Sequence, residues 1–134
     1  TVDCIATDHA PHTLAEKAGP NPPPGVAGLE TSLPLMLTAV RQGRLTLERL
    51  GDLMSITPRQ LFGLPDQPGT YIEVDVEAST VITNERPQPR CGWTPFAGML
   101  FYVLVRRVVL RGEVAYDSDQ PAALATPGTG RLLP

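Results

Sequence analysis

With 134 residues the chain is long enough for one domain but short of the roughly 200 residues that a closed parallel barrel takes. Hydrophobic residues at 42% and charged residues at 19% argue against wholesale disorder, and a net charge of −3 gives no electrostatic footprint for nucleic acid despite the Arg106-Arg107 pair. The two cysteines, Cys4 and Cys91, form neither a zinc-ribbon spacing nor a disulfide framework, and no apolar run approaches the roughly 20 residues of a membrane span, so reduced thiols in a cytoplasmic protein are expected.

The first expected element is an apolar strand, residues 2–7, which delivers a carboxylate and two imidazoles, Asp8, His9 and His12, into a loop. In a (β/α)8 enzyme the reacting groups sit at the C-terminal ends of strands, where loops vary while the packed strands hold their bases still. The chain opens inside that strand, so the polypeptide reads as the tail of a larger enzyme. A carboxylate at the mouth of a strand can ligate a cation and can also take or return a proton, and Asp8 suits both tasks. His9 and His12 are adjacent candidates, but a catalytic zinc generally takes three protein ligands and the chain has 2 histidines. Spacing alone leaves two readings open: metal or substrate chemistry at this cluster, or a polar, hydrogen-bonded strand terminus.

Residues 19–28 form a rigid Gly/Pro loop whose three consecutive prolines, Pro22-Pro23-Pro24, fix φ. It can hold a backbone edge beside a ligand or serve as a solvent-facing connection. From Leu29 onward Leu33, Met36, Leu37 and Val40 recur at helical spacing, with Ser32 able to cap, Pro34 tolerable in the first turn and Gly43 at the end. A second helix begins near Thr46 and places Leu47, Leu50, Leu53 and Met54 on one side. Thr57 as N-cap, Pro58 at the first position and Gly63 at the end predict a short third helix. The Leu/Met stripes read as core.

At Pro65 the period changes. Residues 71–76 alternate apolar and acidic, the pattern of a half-buried strand, and residues 103–110 and 113–116 read as two more strands joined at Arg111-Gly112. The uncharged run 99–105 is a sticky strand unless something covers it. Residues 117–134 read as a linker or tail.

The run Thr7-Asp8-His9-Ala10-Pro11-His12-Thr13-Leu14, followed by Glu16-Lys17, Pro22-Pro23-Pro24-Gly25 and Gly28-Leu29-Glu30-Thr31, resembles the end of the amidohydrolase barrel in dihydroorotases. The likeness extends to the dihydroorotase domain of the animal multifunctional pyrimidine-synthesis polypeptide. Thr38-Ala39-Val40 with Gly43-Arg44-Leu45, then Tyr71-Ile72-Glu73-Val74-Asp75, then Trp93-Thr94-Pro95-Phe96 with residues 106–116, follow in the same order, so the resemblance spans nearly the whole chain.

The resemblance implies an α/β fold, the C-terminal fragment of a (β/α)8 amidohydrolase barrel followed by a small β unit. Residues 1–64 would close the barrel, 65–116 would form the small β domain and 117–134 the linker. It implies that Asp8 is the last-strand metal ligand and general acid/base, that His12 binds the substrate carboxylate, and that the backbone at Pro24 and Gly25 touches the substrate. The reaction implied is the zinc-dependent, reversible cyclisation of N-carbamoyl-L-aspartate to dihydroorotate. Two zinc ions are expected in the complete enzyme, with most ligands upstream of Thr1, so this chain alone is expected to be inactive. Fused carbamoyl-phosphate synthetase and aspartate transcarbamoylase domains and a homo-oligomer are the expected partners, with no nucleic acid and no membrane. The alternatives are a hydantoinase or dihydropyrimidinase relative, disfavoured by a carboxylate-binding His four residues after the Asp, and a noncatalytic interaction module that docks through residues 99–105.

Overall fold

The computed structural model describes residues 2–84, 90–120, 125, 126, 128 and 130–132. Residues 2–7 do not form the expected strand: among the described residues they pair with no sheet, and Ile5 N–H donates instead to Leu53 O at 3.0 Å. An apolar segment becomes a strand only when a neighbouring edge takes up its backbone groups, and no strand of the described residues offers one here.

Helix α1 (Leu14–Lys17) is opened by a capping box in which Thr13 and Glu16 satisfy each other's backbone N–H groups. Helix α2 (Leu29–Arg41) buries Thr31, Leu37 and Thr38. It ends as the sequence predicts: Gly43, at φ 69°, donates to Val40 O, and Arg44 N–H reaches back to Ala39 O. Its start differs from expectation. Gly28 is the N-cap, Ser32 bonds back to Leu29 O from inside the helix, and Pro34 lies past the first turn. One contact of α2 with the β unit runs through Thr38, whose Oγ1 donates to Pro34 O at 2.8 Å and accepts from Tyr102 N–H at 3.2 Å.

Helix α3 (Leu47–Gly51) is capped by Thr46, as expected. It does not stop before a separate third helix. A π-helical stretch (Asp52–Ile56) carries it into α4 (Thr57–Leu61), and Thr57, with φ −65° and ψ −46°, is helical and not an N-cap. The reason lies in Pro58, which has no N–H to donate to the preceding turn. The wider turn lets Thr57 N–H bond Asp52 O, five residues back, and leaves Leu53 O free for Ile5.

Strands β1 (Tyr71–Asp75), β4 (Leu104–Leu110) and β5 (Glu113–Asp117) form an antiparallel sheet in the order β1-β4-β5, close to the expected positions. The β4–β5 turn has φ 52° at Arg111 and φ 85° at Gly112, the doubly left-handed geometry that suits the twist of a two-residue hairpin. Cross-strand ion pairs join Arg106 to Asp75 at 2.7 Å and Arg107 to Glu73 and Asp117. The Arg106 guanidinium, helped by the Ala78 and Glu77 amides, holds the Asp75 carboxyl below its ordinary range.

The short pair β2 (Thr80–Val81) and β3 (Leu100–Phe101) was not expected. It accounts for the apolar run 99–105, which is not one sticky strand. The chain leaves β3 and bends before β4, so that Phe101 is 0% and Val103 1% exposed, while Met99 and Leu100 face outward. Val103 packs with Leu37 and Leu50, and Leu33, Met36, Val40, Leu45, Met54 and Val74 surround that cluster. The segment offered as a docking strand is therefore the bridge between helices and sheet. The described part of the tail 117–134 begins with the last residue of β5 and a turn at Ser118, whose N–H bonds Arg106 O; residues 121–124, 127, 129, 133 and 134 lie outside the described residues. The fold is a partial α/β arrangement, helices against a small, unclosed sheet, as part of an amidohydrolase barrel with a small β unit would be. No helix among the described residues is long and apolar enough to cross a membrane.

Candidate active-site loop

The segment from Asp8 to Gly28 is a loop whose two ends are laid side by side. A parallel bridge pairs His9 with Val26, and Ala10 N–H donates to Val26 O at 2.9 Å. Asp8 stands at the entrance with φ 45°, a left-handed conformation that Asp tolerates better than most side chains, and its side chain is exposed. The strand end expected to present Asp8 is thus an irregular turn that still presents it to solvent.

Opposite Ala10 lies Gly25, at φ 87°. A Cβ there would stand 2.5 Å from the Ala10 Cβ, closer than two methyl carbons can approach, so the two backbone edges meet because position 25 has no side chain. Lys17 holds the far side of the loop: its ammonium donates to Pro23 O at 2.6 Å and to Gly25 O. These bonds fix the backbone edge at Pro24 and Gly25, while Pro22 and Pro24 themselves are exposed.

His12 is half-buried, and its carbonyl accepts from the Trp93 indole N–H at 2.7 Å. Its N–H turns back to Ala10 O across Pro11. Glu16, four residues on, has its carboxyl held below the ordinary range by the Thr13 backbone N–H and hydroxyl. Asp8, His12, Pro24 and Gly25 are thereby carried on two stretches that touch at Ala10 and Gly25. Sequence reasoning missed three residues that fasten this loop. Lys17 and Trp93 appeared only inside matched blocks, and His9 had no assigned role. The sequence carries no local signal for them, because their partners lie 6 to 81 residues away.

The described residues bring together no group of three or more His, Cys, Asp or Glu that could hold a metal ion. Asp8 is a suitable hard oxygen donor, but one carboxylate is not a zinc centre. The metal site that the resemblance implies is therefore not built by this chain's described residues alone.

No protein-family model matches the chain. Over 115 residues it is 56% identical to the multifunctional protein pyr1-3 of Dictyostelium discoideum, which covers 86% of this chain and 5% of that protein. Over 130 residues it is 51% identical to the multifunctional protein CAD of Squalus acanthias, covering 97% of this chain and 6% of that one. With the dihydroorotase of Halobacterium salinarum the identity is 37% over 131 residues, 91% of this chain and 31% of the enzyme. The chain thus spans a small part of the multifunctional relatives and under a third of the single enzyme.

Among solved structures, the inactive dihydroorotase-like domain of the Chaetomium thermophilum CAD-like multifunctional protein superposes with TM-score 0.71 at 29% identity, over 92% of this chain and 35% of that one. The L-hydantoinase of Arthrobacter aurescens superposes with TM-score 0.72 at 32% identity, over 81% and 26%. Identity that runs along most of the chain in both multifunctional proteins and single dihydroorotases, on a shared fold, means that the chain belongs to the dihydroorotase family of the amidohydrolase superfamily, of which it spans one portion.

Proposed function

We propose that the chain supplies the proton-transfer carboxylate and one substrate-binding edge of a cytoplasmic dihydroorotase that interconverts N-carbamoyl-L-aspartate and dihydroorotate. The observation that carries this reading is the clamped loop: an exposed Asp8 at its mouth and a backbone edge at Gly25 that Lys17 holds, brought together by the Ala10–Gly25 contact. In ring opening, the amide C–N bond breaks, the oxygen of water joins the carbonyl carbon, and the nitrogen leaves with a proton. Asp8 provides that proton and accepts one from water; in ring closure it works in reverse. His12 pairs with the substrate carboxylate, and the backbone at Pro24 and Gly25 aligns the ring. Asp8 would also be the ligand that this chain lends to a zinc centre, which when bound supplies Lewis acidity at the amide carbonyl; the other ligands would come from preceding sequence.

In this reading residues 1–64 end the barrel, 65–116 form the small β domain and 117–134 lead onward, and a homo-oligomer with fused carbamoyl-phosphate synthetase and aspartate transcarbamoylase domains is the assembly. The test is dihydroorotate hydrolysis by the complete gene product. Asp8→Asn should lower kcat by about 10²–10⁴-fold, the range for losing a general acid/base, whereas His12→Ala should chiefly raise KM. A parent that does not turn over would favour a second reading, a noncatalytic dihydroorotase-like domain, for which the Chaetomium structure is the observation. Faster turnover of an uncharged hydantoin than of dihydroorotate would instead favour the hydantoinase side, to which the Arthrobacter structure belongs.

A further inference from the structure

We propose that His9 is the positioning residue of Asp8: its ring fastens the Asp8 turn to the start of α2, and the direction in which the carboxylate points depends on it. The inference rests on the role of Asp8 proposed above. His9 Nδ1 accepts two backbone hydrogen bonds, from Gly28 N–H at 3.2 Å and from Leu29 N–H at 3.1 Å. These are the N-cap and first residues of α2, whose amides have no partner within the helix, and Gly28 has no side chain with which to cap them. The cap is therefore delivered by a residue of another segment. An accepting Nδ1 leaves the ring proton on Nε2, so tautomer and ring plane are both set by the helix.

The consequence for Asp8 follows from adjacency. Asp8 holds φ 45°, which costs about 1–2 kcal/mol for a residue with a Cβ and persists only where neighbours enforce it. On its C-terminal side the enforcement consists of the His9 ring on α2, the His9–Val26 bridge and the Ala10 bond to Val26 O. On its N-terminal side Thr7 lies against Gly28, where an added Cβ would come within 3.1 Å of Thr7 O. Gly28 is thus pressed between the residue before Asp8 and the ring of the residue after it. Release of the ring frees the Asp8 turn to relax toward ordinary backbone angles, and the carboxylate turns with it.

The test uses the complete gene product with three substitutions. In His9→Asn the amide Oδ1 occupies nearly the place of Nδ1 and can accept both bonds; His9→Gln puts its oxygen one carbon too far, and His9→Ala removes the acceptor. Amide hydrogen exchange at Gly28 and Leu29 reads the cap, exchange at Ala10 reads the Asp8 loop, and kcat and KM read the chemistry. For His9→Ala and His9→Gln, exchange at all three amides should rise about fivefold, the equivalent of a lost helix cap, with kcat down about tenfold and KM little changed. His9→Asn should restore all of these. Unchanged exchange at Gly28 and Leu29 in His9→Ala, or a rise there without one at Ala10, overturns the proposal whether or not the parent turns over. Full kcat in a His9→Ala enzyme whose Ala10 exchange has risen overturns it as well. Failure of the parent to hydrolyse dihydroorotate strikes the proposed function and leaves the exchange measurements to decide the role of His9.

Discussion

At Gly25 two constraints coincide, and they are separable by mutation. A methyl group there would meet the Ala10 Cβ at 2.5 Å, and φ 87° is unfavourable for any residue with a Cβ. Gly25→Ala should therefore destabilise by about 1–2 kcal/mol from the backbone and a further 1–3 kcal/mol from overpacking. Adding Ala10→Gly removes the collision and leaves the backbone cost. The double variant should thus recover part of the loss in a denaturant melt of the complete gene product; equal stability of single and double variants would mean that the loops part without cost. The same logic chooses Asn as the replacement at Asp8. Asn accepts left-handed backbone as Asp does, so a loss of turnover reports the carboxylate and not a relaxed turn at φ 45°. Asp8, His9 and His12 stood out as candidates because they are polar groups at the end of an apolar run, whereas the substrate roles expected of His12, Pro24 and Gly25 came from the resemblance. The capping role of His9 was not legible, since an imidazole beside an aspartate looks like a metal ligand until the helix that it caps, nineteen residues on, is in place.

Among the elements, those with a long, uniform period were legible and those defined by a neighbour were not. The alternation through β1 and the apolar stripe of α2 are properties of the segment itself, and both emerged near the expected bounds. Residues 2–7 carry the composition of a strand but pair with no strand among the described residues, and β2 and β3, of 2 residues each, are too short to show a period. Thr57-Pro58 has the signature of a helix start, yet the π-turn before it absorbs the missing N–H and the helix runs on. That turn also has a use: Leu53 O, which would face Pro58 in the widened register, accepts from Ile5 at 3.0 Å and anchors the segment that leads to Asp8. Pro58→Ala restores a donor to the helix, so Leu53 O gains a competing partner within it. Exchange at the Ile5 amide should rise several-fold, the scale of a hydrogen bond worth about 0.5–1.5 kcal/mol, while amides of α4 become better protected. Unchanged Ile5 exchange would show that the anchor does not depend on the π-turn.

At the scale of the whole molecule, the core is small and the helices leave much apolar surface uncovered. Phe101 and Val103 are closed off from water, Val103 against Leu37 of α2 and Leu50 of α3, but Leu47, Leu61 and Phe62 are 61%, 61% and 73% exposed. Single exposed apolar residues are ordinary; two adjacent large ones at the end of α4, with Leu64 close behind at 45%, are the kind of feature that marks a surface made to be covered. Burying a Leu or Phe side chain from water is worth about 1.5–3 kcal/mol, so a few of them can offset part of the entropic cost of association. The isolated 134-residue chain should therefore self-associate in the micromolar to millimolar range, seen as a sedimentation coefficient that rises with concentration. Leu61→Lys with Phe62→Lys should suppress that rise in the isolated chain and destabilise the complete gene product, because the same side chains would there be buried against the rest of the barrel. An isolated chain that stays monomeric, with the double variant harmless in the complete protein, would mean that these residues face water in both, and that the barrel closes without them.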